Sequence, residues 1–135
     1  PVVIIPAPGP GKIVVPIQII ALLNTMGGAY SNISANCVAQ FVWDLGSSDY
    51  RLSSGIYVEE DNGALAEESD RAVLMFSPNI DTGGGSAKAA FPAWASELDN
   101  LPIKLVMFNS GGPLQDGGAS NSLKITAIYQ IIDIQ

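Results

Sequence analysis

The sequence predicts an all-β protein, a single-domain antiparallel β-sandwich of jelly-roll type with Gly-rich loops and at most one or two short helical turns. Three observations predict it. Nearly half of the 135 residues are apolar, which is too many for a disordered chain. Glycine (14) and proline (9) interrupt the chain too often for a helical bundle. The apolar runs are short, rich in Val and Ile, and separated by clusters of Gly, Asn, Asp and Ser. Strands do not alternate with helical patterns, which argues against a parallel α/β sheet.

The elements follow in order. Val2 to Ile5 is a β-branched run that suits a strand or an extended arm. Pro6, Pro8 and Pro10 hold the next segment extended, and Gly9 and Gly11 permit a turn. Residues 1–11 thus form an N-terminal arm and hook. Ile13 to Leu23 is a long strand. Pro16 within it lacks a ladder donor, so it belongs at an edge, a bend or a bulge. Asn24 to Asn32 is a loop. Ala35 to Trp43 is a strand, with Cys37, Ala39, Phe41 and Trp43 on one face.

Tyr50 to Tyr57 holds a weak strand. Val58 to Arg71 is acidic, and Ala64 to Asp70 suits a helical turn or two. Ala72 to Ser77 is a compact buried strand ended by Pro78. A Gly-rich loop spans Asn79 to Ala90. Phe91 to Leu101 contains a short helical piece, and Pro102 to Asn109 is a strand. Ser110 to Asn121 is a second Gly-rich loop. Leu123 to Ile134 is the last strand, with Leu123, Ile125, Ala127, Tyr129 and Ile131 sharing one face. Trp43 and Tyr129 sit in apolar runs and are expected in the core.

Composition also bounds function. Thirteen acidic residues against six basic give a net charge of −7, which disfavours both nucleic acid and an anionic membrane surface as partners. The absence of histidine removes Ser-His-Asp and Cys-His catalysis and most zinc sites. One cysteine, Cys37, cannot form an internal disulfide and reads as a small buried hydrophobe. The longest apolar run, Ile13 to Leu23, is broken by Pro16 and Gln18 and is shorter than the ~20 residues a membrane helix needs. No signal peptide is expected, and Pro1 in first place fits ordinary methionine removal.

No motif carries chemistry. The hook APGPGK looks like a phosphate loop, but Pro6 stands where the first Gly belongs, and Lys12 is followed by Ile13 and a strand. Glu59, Glu60, Glu67, Glu68 and Asp70 are glycosidase candidates by residue type only, and such runs are ordinarily solvated faces. Asp61-Asn62-Gly63, Asp81-Thr82-Gly83 and Asp116-Gly117-Gly118 offer loop oxygens to Ca²⁺, yet none approaches a calcium loop, and such pairs are common in turns. The expectation is no catalytic residue, no metal and no cofactor. Among the aromatics, Tyr30, Tyr50 and Trp94 lie near expected loops and are the candidates for an exposed contact surface.

Three segments carry a resemblance: the hook Pro6 to Lys12 leading into a hydrophobic strand, the Gly-Gly-Ala-Tyr loop ending at Tyr30, and the terminal strand from Leu123 to Tyr129. Together they resemble small structural proteins of tailed-bacteriophage virions. The resemblance covers both ends and the early loop, and residues 44–94 match nothing in it. It implies a β-sandwich that decorates or cements the phage head, as a homo-oligomer with a trimer favoured, bound to the major capsid protein or another virion protein. It implies synthesis in the host cytoplasm, a place on the virion and no chemistry. The rival is a tail or tail-fibre component that is structural or binds a glycan. Under either reading, Val2, Val3, Ile4, Ile5, Pro6, Pro8 and Pro10 are the expected subunit or capsid contacts.

Overall fold

The computed structural model describes residues 1–34, 37–44, 50–51, 56–57, 71–76 and 95–135. These residues form two antiparallel sheets with no α-helix. In chain order the strands are β1 (Val2–Ile5), β2 (Lys12–Asn24), β3 (Val38–Trp43), β4 (Tyr50–Arg51), β5 (Ile56–Tyr57), β6 (Arg71–Phe76), β7 (Ile103–Phe108) and β8 (Ser122–Asp133). A single turn of 3-10 helix spans Ala95–Glu97. The first sheet runs β1-β7-β3-β4, with β5 also pairing β3. The second runs β6-β2-β8.

The elements expected from sequence appear with small shifts of boundary. The weak strand between Tyr50 and Tyr57 is two two-residue pieces, both paired to β3. The helical turn expected at Ala64 to Asp70 and the loop from Asn79 to Ala90 lie outside the described residues.

β2 is the spine of the second sheet. It pairs β8 along its whole length, from Lys12↔Asp133 to Asn24↔Ser122, and pairs β6 only from Ile19 onward. Pro16 lies in the portion that β6 does not reach, so its missing N–H leaves no gap in the β6 ladder. The register slips between Pro16 and Gln18, leaving Ile17 as an extra residue. That bulge has a visible consequence. Before it the buried residues of β2 are even-numbered, Val14 and Pro16; after it they are odd-numbered, Ile19, Ala21 and Leu23. One inserted residue reverses the alternation and so keeps both halves of the strand facing the same core. β8 needs no such correction: Ile131, Tyr129, Ala127, Ile125 and Leu123 oppose those five residues in unbroken alternation.

The main hydrophobic cluster draws on both sheets. Val14, Ile19 and Ala21 of β2 pack with Ile5 of β1, Ile103 of β7, and Ala39, Phe41 and Trp43 of β3, and Leu98 joins them from the connection before β7. A second, smaller cluster of Leu23, Ile33 and Cys37 lies under the loops at the other end of β2. Cys37 is fully buried, as its apolar surroundings suggest. Gln40 is also buried, and its Oε1 has no hydrogen-bond partner.

The hook docks onto the chain before β7. Asp99 Oδ1 accepts from the backbone N–H of Gly11 (2.7 Å) and of Lys12 (3.2 Å). Asn100 Oδ1 accepts from Gly9 N–H at 2.9 Å, and Asn100 N–H donates back to the Lys12 carbonyl at 2.9 Å. Gly11 sits at φ 76°, a conformation that a residue with a Cβ adopts only at a cost. The hook is therefore a fixed turn that enters β2.

Candidate interaction surface

β8 ends the second sheet, and among the described strands nothing pairs its outer edge. Only Ile125 and Ala127 are half-buried, and the other ten residues are exposed. Five of those exposed residues are large and apolar: Leu123 (42%), Ile128 (51%), Tyr129 (43%), Ile131 (53%) and Ile132 (41%). They fall on both faces of the strand. Ile128 and Ile132 share the face of Lys124, Thr126 and Gln130, while Tyr129 and Ile131 share the core face of Ile125 and Ala127. The bulged Ile17, opposite this half of β8, adds a further side chain that is 49% exposed.

This corrects one expectation. Tyr129 lies on the core face, as alternation requires, but it is exposed and not in the core. The main cluster reaches β8 only at Ile125 and Ala127. Beyond Ala127 the same face continues without an equivalent cover. Trp43, in contrast, is buried, and its indole Nε1 donates to the Val14 carbonyl at 3.1 Å.

The N-terminal contact candidates divide. β1 is antiparallel to β7, with Val2↔Leu105, Val3↔Lys104 and Ile5↔Ile103, so the segment is a strand of the chain's own sheet. Ile5 is buried in the main cluster and Ile4 packs against it. Val2 and Val3 remain exposed, as do Pro6 and Pro10, with Pro8 half-buried. β1 approaches β8, so the outer edges of both sheets lie on one side of the molecule.

The aromatic candidates fare differently. Tyr30 is half-buried and packs against the Leu23, Ile33 and Cys37 cluster. Tyr50 lies in β4, paired with Trp43 in the ladder. Trp94 lies outside the described residues, as do Glu59, Glu60, Glu67, Glu68, Asp70, Asp61-Asn62-Gly63 and Asp81-Thr82-Gly83.

The loops before β3 and after β7 lock together at the end of the sheets. Asn32 Nδ2 donates to the Gly111 (2.8 Å) and Pro113 (2.9 Å) carbonyls. Asn109 Nδ2 donates to the Asn32 and Gly112 carbonyls, both at 2.7 Å, and its Oδ1 accepts from Ser34 N–H (2.9 Å) and Ser34 Oγ (2.6 Å). Ser31 and Gln115 form a two-way backbone bridge, and Ser31 Oγ donates to Asp116. Gly118 lies so close to Gly27 that a Cβ at Gly118 would overlap the Gly27 backbone. Asp116 is thus engaged within the loop pair, and no group of His, Cys, Asp and Glu suited to a metal occurs among the described residues. Among the same residues no helix is long and apolar enough to cross a membrane. Sequence alone did not point to the Asn side-chain contacts between the two loops, because they join residues more than seventy positions apart.

No protein-family model, curated protein or solved structure matches the chain.

Proposed function

We propose that this chain is a non-enzymatic structural protein of a phage virion, a homo-oligomeric decoration or cement protein that binds and stabilises the head lattice. In this reading the two antiparallel sheets stack as one β-sandwich domain of jelly-roll type. The observation that carries the proposal is the row of exposed apolar side chains along β8 and at Val2 and Val3. Monomeric proteins rarely leave contiguous apolar surface of this kind in water, so it calls for a protein cover. The hook and the interlocked loops add support, since both stiffen the ends of the sheets with side-chain contacts to backbone and leave a rigid body with sticky edges. The resemblance of Pro6 to Lys12 and Leu123 to Tyr129 to virion proteins supplies the setting, and it implies a trimer.

The test is native mass spectrometry of the purified protein, followed by co-sedimentation with expanded heads of the phage whose genome carries the sequence. A stable homo-oligomer that sediments with the heads is the expected result. A protein that stays monomeric and remains in the supernatant overturns the proposal. Pelleting with tails and not with heads moves the chain to the tail-component reading.

A further inference from the structure

We infer that β8 is a self-pairing edge: two copies of this chain join by antiparallel β8–β8 addition about a two-fold axis, turning the three-stranded sheet into a six-stranded one. The inference rests on the self-association part of the reading above and names its seam.

Exposure identifies the kind of occupant. β8 is exposed on both faces along nearly its whole length, and no described strand pairs its outer edge. A helix or a groove-filling peptide would cover one face and leave the other wet. A strand laid along the edge shields side chains above and below the sheet and pairs the outward backbone groups. Natural edge strands usually carry prolines, bulges or several charges that prevent such pairing. β8 has no proline, and the bulge in its ladder lies on β2.

Charge identifies the occupant as a second copy. The chain carries a net −7, which repels its own copies at most surfaces. β8 is an exception: its charged residues are Lys124 near one end and Asp133 at the other. Antiparallel pairing brings the Lys124 end of each strand beside the Asp133 end of its partner, whereas parallel pairing would stack like on like. The pattern of side chains also suits itself. A two-fold axis normal to a sheet keeps each face on its own side, so even-numbered positions meet even-numbered positions. With the axis at Ile128, that residue meets its own copy, Thr126 meets Gln130 and Ile125 meets Ile131. Over the central span from Ile125 to Ile131, apolar residues face apolar ones and polar residues face polar ones; at each end Lys124 faces Ile132 and Leu123 faces Asp133, which leaves the two opposite charges one position apart.

Such a contact is isologous and closes at two copies, so it generates dimers or assemblies of dimers, and a trimer needs a different seam. Directly opposed residues in antiparallel strands lie about 4.5–5.5 Å apart at Cα, within disulfide reach. The test uses Ile128→Cys and Thr126→Cys in the full chain, with mild oxidation and non-reducing gels; buried Cys37 gives little background. Ile128→Cys is expected to cross-link to a covalent dimer. Thr126→Cys is not, because in this register its copies are offset by four residues, about 14 Å along the strands at ~3.4 Å per residue. Ile128→Lys is expected to weaken dimerisation at least ten-fold by sedimentation equilibrium while leaving the far-UV circular dichroism spectrum of the folded chain unchanged. An oligomer that persists undiminished in Ile128→Lys, with no cross-link at Ile128→Cys, overturns the β8 seam and leaves the homo-oligomer reading standing. A wild-type protein that is monomeric at all concentrations overturns self-association itself, and with it the seam.

Discussion

The indole of Trp43, on β3, donates a 3.1 Å hydrogen bond to the carbonyl of Val14, on β2, and so ties one sheet to the other at the centre of the main cluster. Trp43 is 2% exposed and Val14 is fully buried, so no water stands ready to replace either partner. Burying a large aromatic ring here required a partner for its N–H, and the backbone of the opposite sheet supplies it. Trp43→Phe keeps an aromatic ring but removes the donor, so the buried Val14 carbonyl loses this hydrogen bond. We expect a loss of about 1–3 kcal/mol in unfolding free energy. Urea titration followed by far-UV circular dichroism measures it, and an unchanged midpoint would show that the bond contributes nothing.

Along β1 the fold and the proposed contacts separate by residue. Ile5 is buried in the main cluster, whereas Val2 and Val3 stand in solvent. Ile5→Ala is expected to cost about 2–5 kcal/mol of stability, as large-to-small core changes do. Val2→Ser with Val3→Ser is expected to change stability by no more than about 1 kcal/mol in total, each being a surface change worth about 0.5. If these valines contact another subunit or the capsid, the double variant weakens that binding while its thermal melt stays in place. A double variant that binds as the parent does removes Val2 and Val3 from the contact surface.

Asn109 holds the loop pair with four hydrogen bonds, two through each end of its amide. Asn109→Ala leaves the Ser34 N–H and the Asn32 carbonyl without these partners, and we expect a loss of about 1–3 kcal/mol. Hydrogen exchange should show faster exchange at Ser31 and Gln115, whose backbone groups bridge the same loops, with the amides of β7 unaffected. Uniform acceleration throughout the chain would mean that the loops unfold with the sheets and not on their own.

Burial pushes the Cys37 thiol above its ordinary value of 9.0, because the charged thiolate is poorly solvated where it sits. The thiolate is the reactive form, so Cys37 should resist a thiol reagent at pH 8 in the folded protein and react stoichiometrically in denaturant. The raised value also fixes a sign. The folded state holds the proton more tightly, so the contribution to stability is complete below pH 9.0 and is lost as the pH rises through the folded value. Melting temperatures should therefore fall in that alkaline range, and by less in Cys37→Ala. An equal fall in both proteins would assign the loss to other groups.

The strands were legible from the chain because their signals are local. Alternation marked which residues of β8 share a face, the Pro/Gly hook marked the entry to β2, and Pro16 marked an interruption that the structure resolves as a bulge at Ile17. Cys37, Phe41 and Trp43 could be placed in the core from their apolar surroundings alone. Tyr129 could not, although it obeys the same alternation as Ile125 and Ala127. A periodic pattern states the side of a strand on which a residue lies, but not whether a second layer covers it at that point. That depends on residues distant in sequence: how far the other sheet reaches, and where β6 begins to pair with β2. The same holds for the Val2 to Ile5 run, whose composition suits a free arm and an edge strand equally; its pairing with β7, about a hundred residues away, decided between them. Local sequence determined strands, turns and faces, because steric preference and alternation act over a few residues. Tertiary pairing decided register and exposure, and it left β8 as an apolar edge.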